Sequence, residues 1–227
     1  MKAVILTVPM LLLAAGAASA QALPPLPSEY YPLKKGERWT YQVTDLKKTP
    51  AKVDPKMKVD VVVEKEEVYT RNKMTKDGKP VFENGKQVVE KFTGFLLKST
   101  SGQNSKADHV VVLEDGIYRV HTAEVPLTPP LQIFKMPLKP GEAWVWEANS
   151  TSGKEVIKGT FTARLEKITV PAGTYNAIAI RFVSDPSVGT PFEFTNWFVP
   201  KIGMAKHHVK SKDHERLLEL QSYSGAK

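Results

Sequence analysis

No cysteine occurs anywhere in the chain. That absence excludes disulfides, thiol nucleophiles, thiolate metal ligands and lipid attachment at an N-terminal cysteine. Long apolar runs are also missing: beyond the N-terminal leader, none approaches the roughly 20 residues a membrane-spanning helix needs. Catalytic signatures are lacking as well. The sequence holds no Gly-x-Ser-x-Gly elbow, no His-Glu-x-x-His, no phosphate-cradling glycine loop and no dinucleotide fingerprint. Neighbouring carboxylates such as Glu66 and Glu67 fall on opposite faces of a strand, where they make poor acid–base partners. No segment carries a sustained helical stripe with caps.

The first residues are read as a leader. Lys2 is followed by a mainly apolar stretch, Ala3 to Ala15, and by Ala18-Ser19-Ala20, a small-residue cleavage pattern. The expectation is a signal peptide over 1–20 and a mature chain from Gln21, exported to the periplasm or beyond, soluble and not a lipoprotein. The formal charge of +8 would suggest nucleic acid in a cytosolic protein. Export argues against that, and the basic residues are interleaved with acids, as in Lys65-Glu66-Glu67, so a solvated basic surface is expected.

What is present is β pattern. Met57, Val59, Val61 and Val63 alternate with Lys58, Asp60, Val62 and Glu64, and Phe161, Ala163 and Leu165 alternate with Thr162, Arg164 and Glu166. Val110 to Leu113 and Ile178 to Phe182 are further strands, and His214 to Gln221 reads as a last strand rather than a helix. Asp77-Gly78 and Asn84-Gly85 are tight-hairpin dipeptides. Val170-Pro171-Ala172-Gly173-Thr174, Asp115-Gly116 and Ile202-Gly203 mark further turns. Residues 21–31 read as a proline-stiffened extended lead-in.

One ten-residue phrase occurs twice. Pro32-Leu33-Lys34-Lys35-Gly36-Glu37-Arg38-Trp39-Thr40-Tyr41 returns as Pro137-Leu138-Lys139-Pro140-Gly141-Glu142-Ala143-Trp144-Val145-Trp146, with six positions identical and an aromatic kept at the tenth. Self-similarity at a fixed offset signals architecture. Glycines after each copy (Gly85 and Gly116; Gly173 and Gly203) extend the likeness. A surplus near Thr70–Glu83 reads as an inserted hairpin. The expected organisation is a single β domain over 32–227, with half-repeats at 32–124 and 137–227. A Pro-rich crossover, 125–136, would tuck Leu131, Ile133 and Phe134 under the sheet.

Trp39 and Tyr41, and Trp144 and Trp146, lie two apart and so share a strand face. They are read first as core plugs. As ligand-binding candidates they are joined by Phe134 and Trp197. For metal the expectation is none, His208 and His214 being the weak alternative across a turn at Ser211–Asp213. No cofactor is expected. Asn149-Ser150-Thr151 is a formal glycosylation acceptor.

Pro-Leu-Lys-x-Gly-Glu-x-Trp, then Val170-Pro171-Ala172-Gly173-Thr174-Tyr175, then Asn196-Trp197-Phe198-Val199-Pro200-Lys201-Ile202-Gly203-Met204-Ala205-Lys206 together resemble an uncharacterised group of exported bacterial β-proteins. That group looks related to antiparallel half-barrels of the lipoprotein-carrier kind, and no catalytic residues come with it. The resemblance implies a mostly β, antiparallel open half-barrel of two similar halves with little helix. The expected function is non-enzymatic binding of an apolar or lipid-like ligand, or a partner protein, in the concave face. A structural role in the cell envelope and a hydrolase with an unrecognised site are the alternatives.

Overall fold

The computed structural model describes residues 26–48, 51–73, 80–123, 125–149 and 156–226. The leader, Asp77-Gly78 and Ser150-Thr151 lie outside the described residues. One turn of helix, α1 (Pro27–Tyr30), precedes fourteen strands. These are β1 (Arg38–Asp45), β2 (Lys52–Asn72), β3 (Phe82–Glu83), β4 (Lys86–Gln87), β5 (Val89–Ser101), β6 (Asn104–Leu113) and β7 (Gly116–Thr122). β8 (Val125–Lys135), β9 (Ala143–Asn149), β10 (Val156–Val170), β11 (Gly173–Ser184), β12 (Phe192–Val199), β13 (Gly203–Ser211) and β14 (Glu215–Ser224) follow.

Twelve strands form one antiparallel sheet in the order β8-β7-β6-β5-β2-β1-β14-β13-β12-β11-β10-β9. Two six-stranded meanders therefore meet at the β1–β14 ladder, and β3 and β4 form a separate hairpin between β2 and β5. Its Asn84-Gly85 turn has positive φ at both residues, 51° and 73°, as a type I′ turn requires. Mostly β is what the alternation indicates. The expected open half-barrel needs correction: the sheet curls until its edges, β8 and β9, face each other, giving a nearly closed barrel.

Two segments differ from their sequence reading. Pro27–Tyr30 is helical rather than extended, with proline in the first turn, where its missing N–H costs nothing. Residues 125–135 form a strand rather than a crossover. It is an edge strand, the place where prolines are tolerated in sheets, and Leu131, Ile133 and Phe134 are buried in it.

Both copies of the phrase make the same turn. Gly36 N–H donates to Val63 O, Val63 N–H to Glu37 O, and Glu37 N–H to Lys34 O. In the second copy Gly141 N–H donates to Ala163 O, Ala163 N–H to Glu142 O, and Glu142 N–H to Lys139 O. Gly36 and Gly141 sit at φ 93° and 84°, the left-handed region that glycine enters without penalty.

Candidate functional site

The phrase aromatics are structural in placement. Trp39 and Tyr41 are fully buried. Trp39 Nε1 donates to Ile202 O at 2.5 Å and Tyr41 Oη to Met204 O at 2.7 Å. In the second copy Trp144 Nε1 donates to Gln132 O at 3.3 Å and Trp146 Nε1 to Pro130 O at 3.1 Å. Each pair thus reaches two carbonyls two residues apart, on β8 for the second copy and at the turn into β13 for the first, on segments it does not ladder with. Trp144 is half-buried and stacks on Phe161 with ring centroids 5.1 Å apart, and Phe161 leads on to Phe182 and Phe194.

Phe134 is fully buried against Tyr30 and Phe198. Trp197 lies apart from these rings. It pairs with Lys206 and Ala179 on neighbouring strands, donates to Glu166 Oε2 at 2.9 Å, and carries the Lys206 ammonium over its face. The two alternative metal ligands do not converge: His208 Nε2 meets Glu215 Oε1 at 2.9 Å, and His214 is exposed in the turn. Among the described residues no group of three or more His, Asp or Glu is arranged to hold a metal.

The N-terminal segment caps one end of the barrel. Tyr30, Tyr31 and Leu33 are buried, Tyr31 against Trp39 and Phe198, and Lys201 N–H donates to Glu29 O. Burial pushes the Tyr30 phenol up to about 12, so it stays protonated. Between this cap and the sheet runs a groove of about 360 Å³. Its walls are mainly Leu26, Tyr31, Leu33, Phe95, Val112 and Leu113. Glu114 lines it as well, and among the described residues no basic one does.

Further along the barrel the interior holds a polar layer. Arg119 Nε lies 3.7 Å from Asp108 Oδ2, and Thr122 Oγ1 donates to Asp108 Oδ1 at 2.9 Å. His207 Nδ1 and Asn196 Oδ1 are 2.6 Å apart. With the amide oxygen as acceptor, Nδ1 carries the proton. Burial, reinforced by the neighbouring Arg119 and His208 side chains, lowers the His207 pKa to about 4. The ring is therefore neutral at pH 7.

A second hollow, of about 640 Å³, lies on the opposite face of the sheet. A bulge between Val63 and Lys65 sets Lys65, Glu67 and Tyr69 opposite Leu96, Gly94 and Phe92, on the face away from the buried Leu97. Leu96 pairs with His109 and His109 with His121. Tyr69 hydrogen-bonds His109 Nδ1 and donates to Glu67 Oε2 at 3.1 Å, and the two imidazole rings are 4.8 Å apart. Its walls are amphoteric: Lys65 pairs with Glu67 and Lys98 with Glu64.

Neither hollow follows from the motifs. For the second, a hairpin closed by Leu113 opposite Gly116 would in even register set His109 opposite Val120; a bulge between His109 and Val110 moves it opposite His121, which spacing does not reveal. The groove at the cap left no trace either, because Leu26 reads as lead-in, Leu33 as part of the repeated phrase, and Val112 as an ordinary strand residue.

No family model matches the chain, and no curated protein matches it. Two solved structures are similar in fold. A candidate lipoprotein from Parabacteroides distasonis is 11% identical with a TM-score of 0.46, over 86% of this chain and 98% of its own. A candidate exported protein with a YmcC-like fold from Bacteroides fragilis is 13% identical with a TM-score of 0.38, over 85% of this chain and 97% of its own.

Proposed function

We propose that this chain is an exported, non-enzymatic binding protein that holds an apolar, uncharged, chain-like molecule in the groove beneath its N-terminal cap. The carrying observation is the lining of that groove, in which four aliphatic side chains, two aromatic ones and Pro27 outnumber the hydroxyls of Ser28 and Thr93 and a single carboxylate. A volume of about 360 Å³ falls in the range of roughly 300–1,000 Å³ usual for small-molecule sites. The absence of a lysine, arginine or histidine from the walls selects against an anionic head group, because Glu114 would repel it. The deep interior is a poorer host, since Trp39, Phe134, Phe161, Phe182 and Phe198 fill it with fully buried rings.

A hydrolase would have to use the Glu67–Tyr69–His109 chain on the other face, where a phenol sits between a carboxylate and an imidazole. None of the three is an alcohol or thiol nucleophile of the usual triad kind.

The apolar-site reading is tested with a fluorescent apolar dye. Val112 is half-buried in the groove wall. The unaltered protein should bind the dye, and Val112→Glu should bind it at least about tenfold more weakly by placing a carboxylate among apolar atoms. A melting temperature close to that of the unaltered protein would show that the variant is folded. Equal binding by the two proteins would remove the site from the groove.

A further inference from the structure

We infer that the arm formed by the outer parts of β2 and β5 and by the β3–β4 hairpin docks on an anionic lipid bilayer, its apolar side chains entering the head-group boundary and its lysines meeting the anionic head groups. β2 parts from β1 beyond Val62, and the pairing of β5 with β6 begins only at Gly94. Outside those limits Val68–Asn72 and Val89–Thr93 pair with each other as a two-stranded ribbon. The hairpin continues it: Lys73 N–H donates to Val88 O, Val81 N–H to Lys73 O, and Val88 N–H to Val81 O. The tip is thus fastened to the ribbon by its backbone.

The arm leaves apolar surface in water. Val68, Phe82 and Val89 are 72%, 59% and 50% exposed. Among the described residues Val68 is the most exposed large apolar side chain and Phe82 the one exposed aromatic. The charge of the same stretch is positive: residues 71–91 hold six lysines and arginines against three acids. Lys73, Lys86 and Lys91 are exposed. Nearer the barrel Lys65 and Lys98 are held by Glu67 and Glu64, whereas no ion pair among the described residues takes up those three. The ribbon pairs Val68 with Thr93, Thr70 with Lys91 and Asn72 with Val89, so Val68, Lys91 and Val89 share one face. Apolar side chains interleaved with lysines suit a bilayer boundary, where the apolar groups sink below the head groups and the ammoniums reach back to them. A protein partner calls instead for a contiguous apolar centre within a polar rim. The same face carries Thr93 and Phe95 of the groove wall, so docking sets the groove beside the bilayer. That last link rests on the proposed groove site; the docking does not.

Vesicle flotation of the intact protein tests the docking. It should float with vesicles of phosphatidylcholine containing about one third phosphatidylglycerol, and bind vesicles of phosphatidylcholine alone at least about tenfold more weakly. The double variants Phe82→Ser, Val89→Ser and Lys86→Glu, Lys91→Glu should each lose at least about tenfold on the mixed vesicles. All four side chains are exposed, and an unchanged melting temperature checks that the variants fold. Val112→Glu, which alters the groove, should float like the unaltered protein, so a failed groove site and a failed docking surface give different results. Docking on the arm is overturned by no flotation with the mixed vesicles, by equal binding to the neutral ones, or by either double variant floating as well as the unaltered protein. Loss of flotation by folded Val112→Glu also overturns it, by moving the contact to the groove. The comparison of the two vesicle types uses the unaltered protein and so does not depend on the folding of any variant.

Discussion

At the residue scale, identical side chains in the two copies of the phrase meet opposite electrostatics. Glu37 is buried, and desolvation holds its carboxyl above the usual range despite a hydrogen bond from Tyr223. Glu142 accepts from Lys135 Nζ at 2.5 Å, which holds its carboxyl below that range. The consequential titration is that of His207. An unfolded histidine titrates near about 6.5, whereas the folded ring is lowered to about 4. Between those values the unfolded chain binds the extra proton, so acid favours unfolding. The contribution is complete above about pH 6.5 and is lost as the pH falls towards 4. Denaturant midpoints at pH 7 and pH 5 should therefore show a loss in the native protein that His207→Gln largely removes. An equal loss in the variant would place the acid sensitivity elsewhere. Depressed carboxylates such as Glu142 and Asp185 act below that window and do not confuse the comparison.

At the element scale, the phrase is a device for starting a strand and fastening it across the barrel. The turn of Lys34–Glu37 or Lys139–Glu142 fixes the strand start, and the aromatics two residues apart on the strand bond to carbonyls outside its own ladders, at the entry to β13 in the first copy and on the facing edge strand β8 in the second. The two clamps differ in burial, which sets the cost of losing them. Trp39 is 0% exposed, so Trp39→Ala should cost about 3–5 kcal/mol, while Trp39→Phe loses chiefly the bond to Ile202 and should cost about 1 kcal/mol. Trp144 is half-buried, and Trp144→Ala should cost less than Trp39→Ala when both are measured by chemical denaturation. The reverse order would contradict the assignment of Trp39 as the deeper plug.

Much of this level was legible in the chain. The period-two runs pointed to β2 and β10, the apolar and β-rich runs to β6 and β11, and the last strand followed from Leu218 and Leu220. β8 was not legible as a strand because three prolines argue against pairing, and only the sheet order shows that it needs a partner on one side alone. Pro27–Tyr30 was missed because a four-residue helix has no period to detect. Its burial depends on Phe134 and Trp39, distant in sequence.

At the scale of the whole molecule, two meanders joined at β1–β14 curl into a nearly closed barrel, capped at one end by the N-terminal segment. Sequence reasoning placed a candidate site in the hollow that the halves enclose. Aromatic rings fill that hollow, and open space is left under the cap and on the opposite face of the sheet. The shift follows from volume: seven rings buried to 1% exposure or less crowd the core, a consequence of curvature that no strand reveals alone. The central claim is that the groove walled by Tyr31, Leu33, Phe95 and Val112 holds an apolar, uncharged molecule. Native mass spectrometry of protein purified from its native cell tests it most directly. The account predicts a bound neutral apolar mass on the unaltered protein and its loss from Val112→Glu. A spectrum free of any such mass, or the same mass retained by the variant, would contradict it.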